Sequence, residues 1–533
     1  MINEDRIGII EERQFNYYGM DGTEYFFMKD RDKRESLKTA LEEWELNSVQ
    51  DQDSRPKSLD TLNSISNIAI QAALEIKQKT KQWEDFPKFS RLYHLVSDPY
   101  ILAKAYLNIC KNKGAMTAGI DKRTIDGYNL DKLERLRMKL KDRTYSPRPV
   151  VRVRVPKPGK PFPQKSRPLG IPTISDRIVQ ESIRIVLNAI YEPMFKIYGD
   201  NFGFRMGHSC KQAIETIKKH AQGTNWALEG DIKGAYDNLD HSTLIRILKE
   251  TIPDNWLLGL IKKFLKAGIM ENGKLTHLDI AVPQGGIVSP LLFNIYMLEM
   301  DKFIHHNIYT KIDMLNTSEK RVKQPINPAY VRIKNQLYKK RVLLRKLKPQ
   351  DRKNWKTLTP DKIWAVKTLK SQISSLKTQL YKTQYYNRKE ILYRIHYVRY
   401  ADDWVIFLAG KIELIREIRQ EITDWLASKL KLRLSEEKTL ITNCKKKQVK
   451  FLGFSISIQK KYKRKLHPRI FAESEQKAKF LTRTGSGNVN VTVDMDRFLE
   501  RLKVKGYLNK QTNKPKPIFP MTALEPATLI RHY

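Results

Sequence analysis

The feature that most constrains this chain is Tyr400-Ala401-Asp402-Asp403, set between two β-forming runs at 395–399 and 404–408. The first run is rich in aromatic and β-branched residues and the second is almost continuously apolar. That pattern predicts a hairpin with two carboxylates at its tip. Adjacent carboxylates on a tight turn repel one another unless cations gather there. A pair of magnesium ions would relieve the repulsion and would have chemistry to perform. Alone, the tetrapeptide is equally a solvated turn, because aspartate is a common turn former. It becomes a site only if a third carboxylate stands at the end of another strand.

Such a carboxylate is available. Trp226–Asp231 reads as a strand with Asp231 at its end, within Glu229-Gly230-Asp231-Ile232-Lys233-Gly234-Ala235-Tyr236. Beside a two-aspartate hairpin it could hold two magnesium ions, one activating a primer 3′-hydroxyl and the other holding a triphosphate. The turn at 232–235 would project Tyr236 beside the metals, where its ring could press on a sugar and exclude a 2′-hydroxyl. Ordinary core packing is the alternative for that ring. Pro283-Gln284-Gly285-Gly286 precedes an apolar helix at 291–300. Its two glycines let a backbone approach a nucleotide closely, so that Gln284 could hydrogen-bond base or sugar.

The 533 residues suggest several lobes. The net charge of +41 points to a polyanion, nucleic acid first, since 10% aromatic residues also supply stacking surfaces. No apolar run is long enough to span a bilayer. Cys110, Cys210 and Cys444 are isolated, which supports neither a disulfide framework nor a zinc finger. The start, Met1-Ile2-Asn3-Glu4-Asp5, is neither a signal peptide nor a basic transit peptide. A protein of this kind working in an organelle would have been made there.

Along the chain, the first 60 or so residues carry more acid than base. The alternation Val151-Arg152-Val153-Arg154-Val155 predicts a strand entering a basic loop. Ser175 is the expected cap of a helix with Ile178, Val179, Ile183, Val186, Leu187 and Ile190 on its core face. A lysine-rich stretch from 304 to 394 holds two predicted helices, near Pro328–Leu347 and Pro360–Lys382. It reads as a solvated insertion or as a phosphate-tracking surface. Asp494 should cap a short helix with Met495, Phe498, Leu499 and Leu502 as its apolar stripe and Gly506 at its end.

These segments, taken in order, resemble the sequence blocks of group II intron-encoded reverse transcriptases, also called maturases. The upstream block is Phe89-Ser90-Arg91-Leu92-Tyr93 with Met116-Thr117-Ala118-Gly119-Ile120-Asp121. Arg167-Pro168-Leu169-Gly170-Ile171-Pro172, Asp176-Arg177-Ile178-Val179-Gln180 and Gly203-Phe204-Arg205 follow, then the Asp231, Gln284 and Asp402 blocks. Leu434-Ser435-Glu436-Glu437-Lys438-Thr439 and Phe451-Leu452-Gly453-Phe454 complete a collinear series.

The resemblance implies an α+β right-hand polymerase with helical fingers, an antiparallel-sheet palm and a partial helical thumb. It divides the chain into an unassigned acidic extension (1–85), fingers (86–225), palm (226–303), basic insertion (304–394), palm again (395–458) and partial thumb (459–533). It implies that Asp231 and Asp402 bind two magnesium ions with Asp403 in support, and that Lys438 protonates the leaving pyrophosphate. Lys157 and Arg167 match the positions that grip the triphosphate, Gln284 the nucleotide-contacting glutamine and Tyr236 the sugar gate. Phe451, Leu452, Gly453 and Phe454 match the primer grip. Met206, His208 and Phe293 depart from the pattern, at positions expected to alter packing or RNA contact rather than catalysis.

The implied partners are intron RNA as template, a DNA primer or target, and deoxynucleoside triphosphates, with no membrane. The implied activity is RNA-directed DNA synthesis combined with help in intron splicing and mobility. A splicing factor that only binds RNA, or a reverse transcriptase of another lineage, are the alternatives. The expected location is the mitochondrion, with the chloroplast or a bacterial cytoplasm as alternatives. Because the sequence stops at Tyr533, the resemblance also implies missing thumb helices, DNA-binding domain and endonuclease, and hence a weak grip on primer and template.

Overall fold

The computed structural model of the chain describes residues 57–78, 83–126, 128–156, 166–271, 273–276, 285–318, 326–347, 359–383, 393–459, 464–471, 474–483, 487–504, 506–509, 512 and 514–515. The chain packs as two compact units, Thr310–Tyr393 and the remainder, and it mixes helices with sheets throughout the larger one. Strands of the larger unit are, in chain order, β1 (Val150–Pro156), β2 (Ser166–Ile171), β3 (Trp226–Asp231), β4 (Ile269–Glu271), β5 (Lys274–Thr276), β6 (Arg394–Tyr400) and β7 (Asp403–Ala409). They continue with β8 (Leu440–Asn443), β9 (Val449–Phe451), β10 (Phe454–Ile458), β11 (Arg464–Phe471), β12 (Ser474–Arg483) and β13 (Val489–Val493).

The predicted hairpin is β6–β7, and it belongs to an antiparallel sheet of order β6-β7-β3-β8. β7 is central, so Trp404, Val405, Ile406, Phe407 and Leu408 are buried whichever way they point. This is why its sequence reads as a continuous apolar run rather than an alternation. One core cluster gathers Val398, Val405 and Phe407 with Ala213, Ile214 and Ile217 of the helix Cys210–His220, and with Phe451, Ile456 and Ile458 of a second sheet, β13-β10-β9. Each of the larger buried side chains there, Val, Ile or Phe, contributes about 1.5–3 kcal/mol relative to exposure.

A third sheet, β2-β1-β4-β5, pairs β1 antiparallel with β2 and parallel with β4. β11 and β12 form a ribbon of their own. The helix Ile174–Tyr198 buries the six apolar positions expected of it and stops at Gly199, whose φ of +73° suits glycine. Its cap is Thr173, not Ser175: the Thr173 hydroxyl accepts from Asp176 N at 3.2 Å. Ser175 already lies in the first turn, where its hydroxyl meets that of Tyr128 at 3.3 Å.

Asp494 directly precedes the helix Met495–Val504 and its carbonyl accepts from Phe498 N at 2.9 Å. Of the expected stripe, Met495 and Phe498 face solvent. The expectations for residues 1–56 and 516–533 lie outside the described residues.

In the smaller unit the helices Pro328–Leu347 and Pro360–Lys382 pack together, with Leu337 buried on one and Val366, Leu369 and Ile373 on the other. Asn316 and Tyr393 exchange two hydrogen bonds, of 2.9 and 3.0 Å, which bring the two ends of this unit together.

Candidate active site

Pairing of Tyr400 with Asp403 leaves Ala401-Asp402 as a two-residue loop. Ala401 has a φ of +58°, a left-handed conformation that costs a non-glycine residue about 1–2 kcal/mol. Across the sheet, the β3–β7 register sets Asp231 opposite Asp403. Three carboxylates therefore meet at one end of two neighbouring strands. Gly230 permits this register: a Cβ there would fall 2.1 Å from the indole of Trp404, which is buried.

The electrostatics follow from that convergence. Burial, then the charge of Asp231, raises the Asp402 carboxyl above the usual range. Burial, then Asp402 and Asp231, pushes Asp403 up to about 6. Asp403 still touches water although protein hems it in, so solvent screens part of this repulsion.

Lys438 supplies a counter-charge, with Nζ 2.7 Å from Asp231 Oδ2. It is placed there by the 434–439 segment folding back on β3: Leu434 bridges Ile232, and Ser435 N donates to the Asp231 carbonyl at 2.8 Å. The bond to Asp231 raises the ammonium pKa, with the three aspartate charges adding to it, so Lys438 stays charged.

Around this cluster, Tyr236 is half-buried and stacks on the fully buried Phe293, ring centroids 4.6 Å apart. Burial and then the nearby Asp402 charge raise its phenol pKa. Phe293, noted above as a departure, is thus the floor beneath that ring. Arg167 is exposed on β2, and its charge lowers the Asp402 pKa. Gly285 has a φ of +111°, and a Cβ on it would lie 2.4 Å from the Gly170 carbonyl, so the Gly-Gly loop lies tightly on β2. Lys157 and Gln284 lie outside the described residues.

Phe451, Leu452, Gly453 and Phe454 make the turn between β9 and β10. Leu452 and Gly453 both have positive φ, Phe451 is in the core, and the Gly453 carbonyl accepts from Asp494 N at 3.0 Å. Met206 is 77% exposed, with His208 Nδ1 against its carbonyl at 3.0 Å. Two features were not read from the sequence. Arg497 lowers the Asp403 pKa from the helix Met495–Val504. Arg399, two residues before Ala401, is fully buried behind the turn. Its one signal was an arginine in a strand otherwise rich in apolar and aromatic residues.

All three aspartates offer hard oxygen donors, the kind that suits magnesium. Among the described residues no group of three His, Cys, Asp or Glu side chains forms a ready metal cage. The fit lies in the donor chemistry and in the repulsion among the three carboxylates that Lys438 only partly offsets, which a divalent cation would relieve further. Among the described residues no helix is long and apolar enough to cross a membrane.

The sequence profile of the reverse transcriptase (RNA-dependent DNA polymerase) family matches residues 155–325 and 371–456, which include all three aspartates and Lys438. The group II intron-encoded protein LtrA of Lactococcus lactis is 38% identical over 389 residues, 73% of this chain and 60% of LtrA. An uncharacterized 91 kDa protein in the cob intron of Schizosaccharomyces pombe is 30% identical over 441 residues, 81% of this chain and 48% of that one. Protein YkfC of Escherichia coli is 29% identical over 378 residues, 69% of this chain and 84% of YkfC. The chain thus spans 60% of LtrA's length. It belongs to the family of group II intron-encoded reverse transcriptases and maturases.

Proposed function

We propose that the chain extends a DNA primer along an RNA template and also binds its own intron RNA to assist splicing and mobility. The observation that carries the polymerase reading is the register of Asp231 against Asp403, with Lys438 on Asp231 and Asp402 at the adjoining tip. In this reading the β6-β7-β3-β8 sheet is a palm, the helices before it with β1 and β2 are fingers, and Met495–Val504 begins a thumb. Asp231 and Asp402 would hold two magnesium ions, with Asp403 in support. Bound there, such ions supply Lewis-acid activation of the primer hydroxyl and neutralise charge on the triphosphate.

The chain's own groups do the rest. In this reading Lys438, held on Asp231, returns a proton to the leaving pyrophosphate. Tyr236, backed by Phe293, presses on the sugar and excludes a 2′-hydroxyl. Arg167 and Lys157 grip the triphosphate, Gln284 contacts the nucleotide, and the turn at 451–454 steadies the primer. Purified protein with magnesium should extend a DNA primer annealed to RNA, and Asp402→Ala should lower the rate by at least about 100-fold. No extension by the wild type, or equal extension by the variant, overturns this reading.

RNA binding without polymerisation is favoured by one separate observation. Residues 310–393 carry 22 Lys and Arg against 5 Asp and Glu, a net of +17. If the RNA-binding role stands alone, Asp402→Ala splices its intron at the wild-type rate. Relatives from two bacteria and a yeast intron suit a bacterial or an organellar setting. The mitochondrial reading rests on the Lys-, Ile-, Asn- and Tyr-rich composition that an AT-rich genome encodes.

A further inference from the structure

Behind the aspartate turn lies a buried cation that the chemistry above does not use. Arg399 is fully enclosed on β6. Its Nε and Nη2 donate to the two carboxylate oxygens of Asp301 at 2.9 and 2.5 Å, and the Tyr397 hydroxyl donates to the same carboxylate at 2.9 Å. Asp301 belongs to the helix Ser289–Phe303. The remaining guanidinium nitrogen, Nη1, donates to Asn294 Oδ1 at 3.1 Å and to the Ala401 carbonyl at 3.2 Å.

Two further elements close on the same point. Asn294 donates to the Gly203 carbonyl at 2.7 Å, and Gly203 lies so close to the turn that a Cβ on it would sit 2.3 Å from Ala401 N. The Arg399 backbone takes up both Asp200 O (2.8 Å) and Phe202 N (2.9 Å). The guanidinium therefore ties the helix Ser289–Phe303 to the carbonyl of the left-handed residue, while the Arg399 backbone and Asn294 bind the 200–203 segment beside it.

A buried ion pair is a weak source of stability, because desolvating both charges offsets most of their attraction. What a guanidinium supplies is direction, since its donors sit in a rigid planar fork. We propose that Arg399 is a positioning residue for Asp402. By holding the Ala401 carbonyl it fixes the left-handed turn, and with it the direction in which the next side chain leaves the backbone. The catalytic consequence rests on the polymerase reading; the hold on the turn does not.

Arg399→Lys keeps a cation opposite Asp301 but lacks the fork that reaches Asn294 and Ala401 together. Ala401→Gly removes the conformational penalty that the fork offsets. In primer extension, Arg399→Lys should lower kcat at least about tenfold while KM for the nucleotide stays within about threefold. Its affinity for primer–RNA should stay within about twofold, and half-saturation by Mn2+, read by EPR on the primer–RNA complex, should need at least about threefold more metal. Adding Ala401→Gly should restore kcat by at least about threefold. In urea denaturation, Ala401→Gly should lower the unfolding constant of wild type by at least about threefold more than that of Arg399→Lys, whose turn is free to leave the strained conformation.

An unchanged kcat, a primer–RNA affinity that falls in step with kcat, or additive stabilities overturns the proposal. Where Arg399→Lys fails to fold, the pair Arg399→Met with Asp301→Asn removes both charges and takes its place, with the same outcomes. If the wild type extends no primer, the polymerase reading has failed, and the stability cycle between 399 and 401 still decides the positioning role.

Discussion

His396 sits on β6 with its ring 4.9 Å from that of His220 and its Nε2 buried without a hydrogen-bond partner. Burial first, then the nearby His220 and His305, hold its pKa down to about 4. The unfolded chain titrates near 6.5, so between these values it takes up a proton that the folded chain refuses. Stability is therefore complete above the unfolded pKa and declines as pH falls toward 4. His396→Phe should flatten that decline, sparing about 1–2 kcal/mol of the loss between neutral pH and the acid end of the window. Denaturant melts across the pH range measure it, and an unchanged acid limb would contradict it. Residue chemistry at the aspartates was legible in the sequence, because adjacent carboxylates on a predicted turn are costly wherever they stand. The role of Arg399 was not, because its partners Asp301 and Asn294 are about a hundred residues away and only packing brings them together.

At the scale of elements, the fit of β3 against β7 decides whether the carboxylates meet at all. Gly230 faces the Trp404 indole where no Cβ has room. Gly230→Ala should destabilise the protein by more than about 2 kcal/mol through overpacking. Trp404→Leu, costly alone, should recover part of that loss in the Gly230→Ala background, because the smaller side chain makes space. Urea denaturation of the two single variants and the double variant tests this, and strictly additive costs would contradict it. The hairpin, the helix Ile174–Tyr198 and the two insertion helices were each readable from periodicity. The cap of Ile174–Tyr198 was misread because Thr173 and Ser175 are both good capping residues, and the choice fell to the tertiary contact of Ser175 with Tyr128.

For the whole molecule, charge is unevenly shared between the two units. The 310–393 unit brings a net of +17 of the chain's +41. The described helix Pro328–Leu347 contains no acidic residue, and Tyr338 on it is 69% exposed. Replacing 310–393 by a short Gly-Ser linker should leave the remaining cores folded. It should weaken RNA binding and make the slope of log affinity against log salt shallower by several, since each phosphate contact adds about 0.7–0.9. Filter binding over a salt series reads both, and equal slopes would contradict an RNA-facing role for the unit.

By itself the sequence determined the aspartate hairpin, the third carboxylate at a strand end, the order of the blocks and the net positive charge. These depend on neighbours in the chain, where alternation, turn residues and like-charge repulsion act over a few positions. Only the tertiary structure decided that Asp231 faces Asp403, that Lys438 folds back onto Asp231, that Phe293 floors Tyr236 and that Arg399 holds the turn from behind. Each of these joins residues far apart in the chain, and the burial that brings them together leaves no mark on local periodicity.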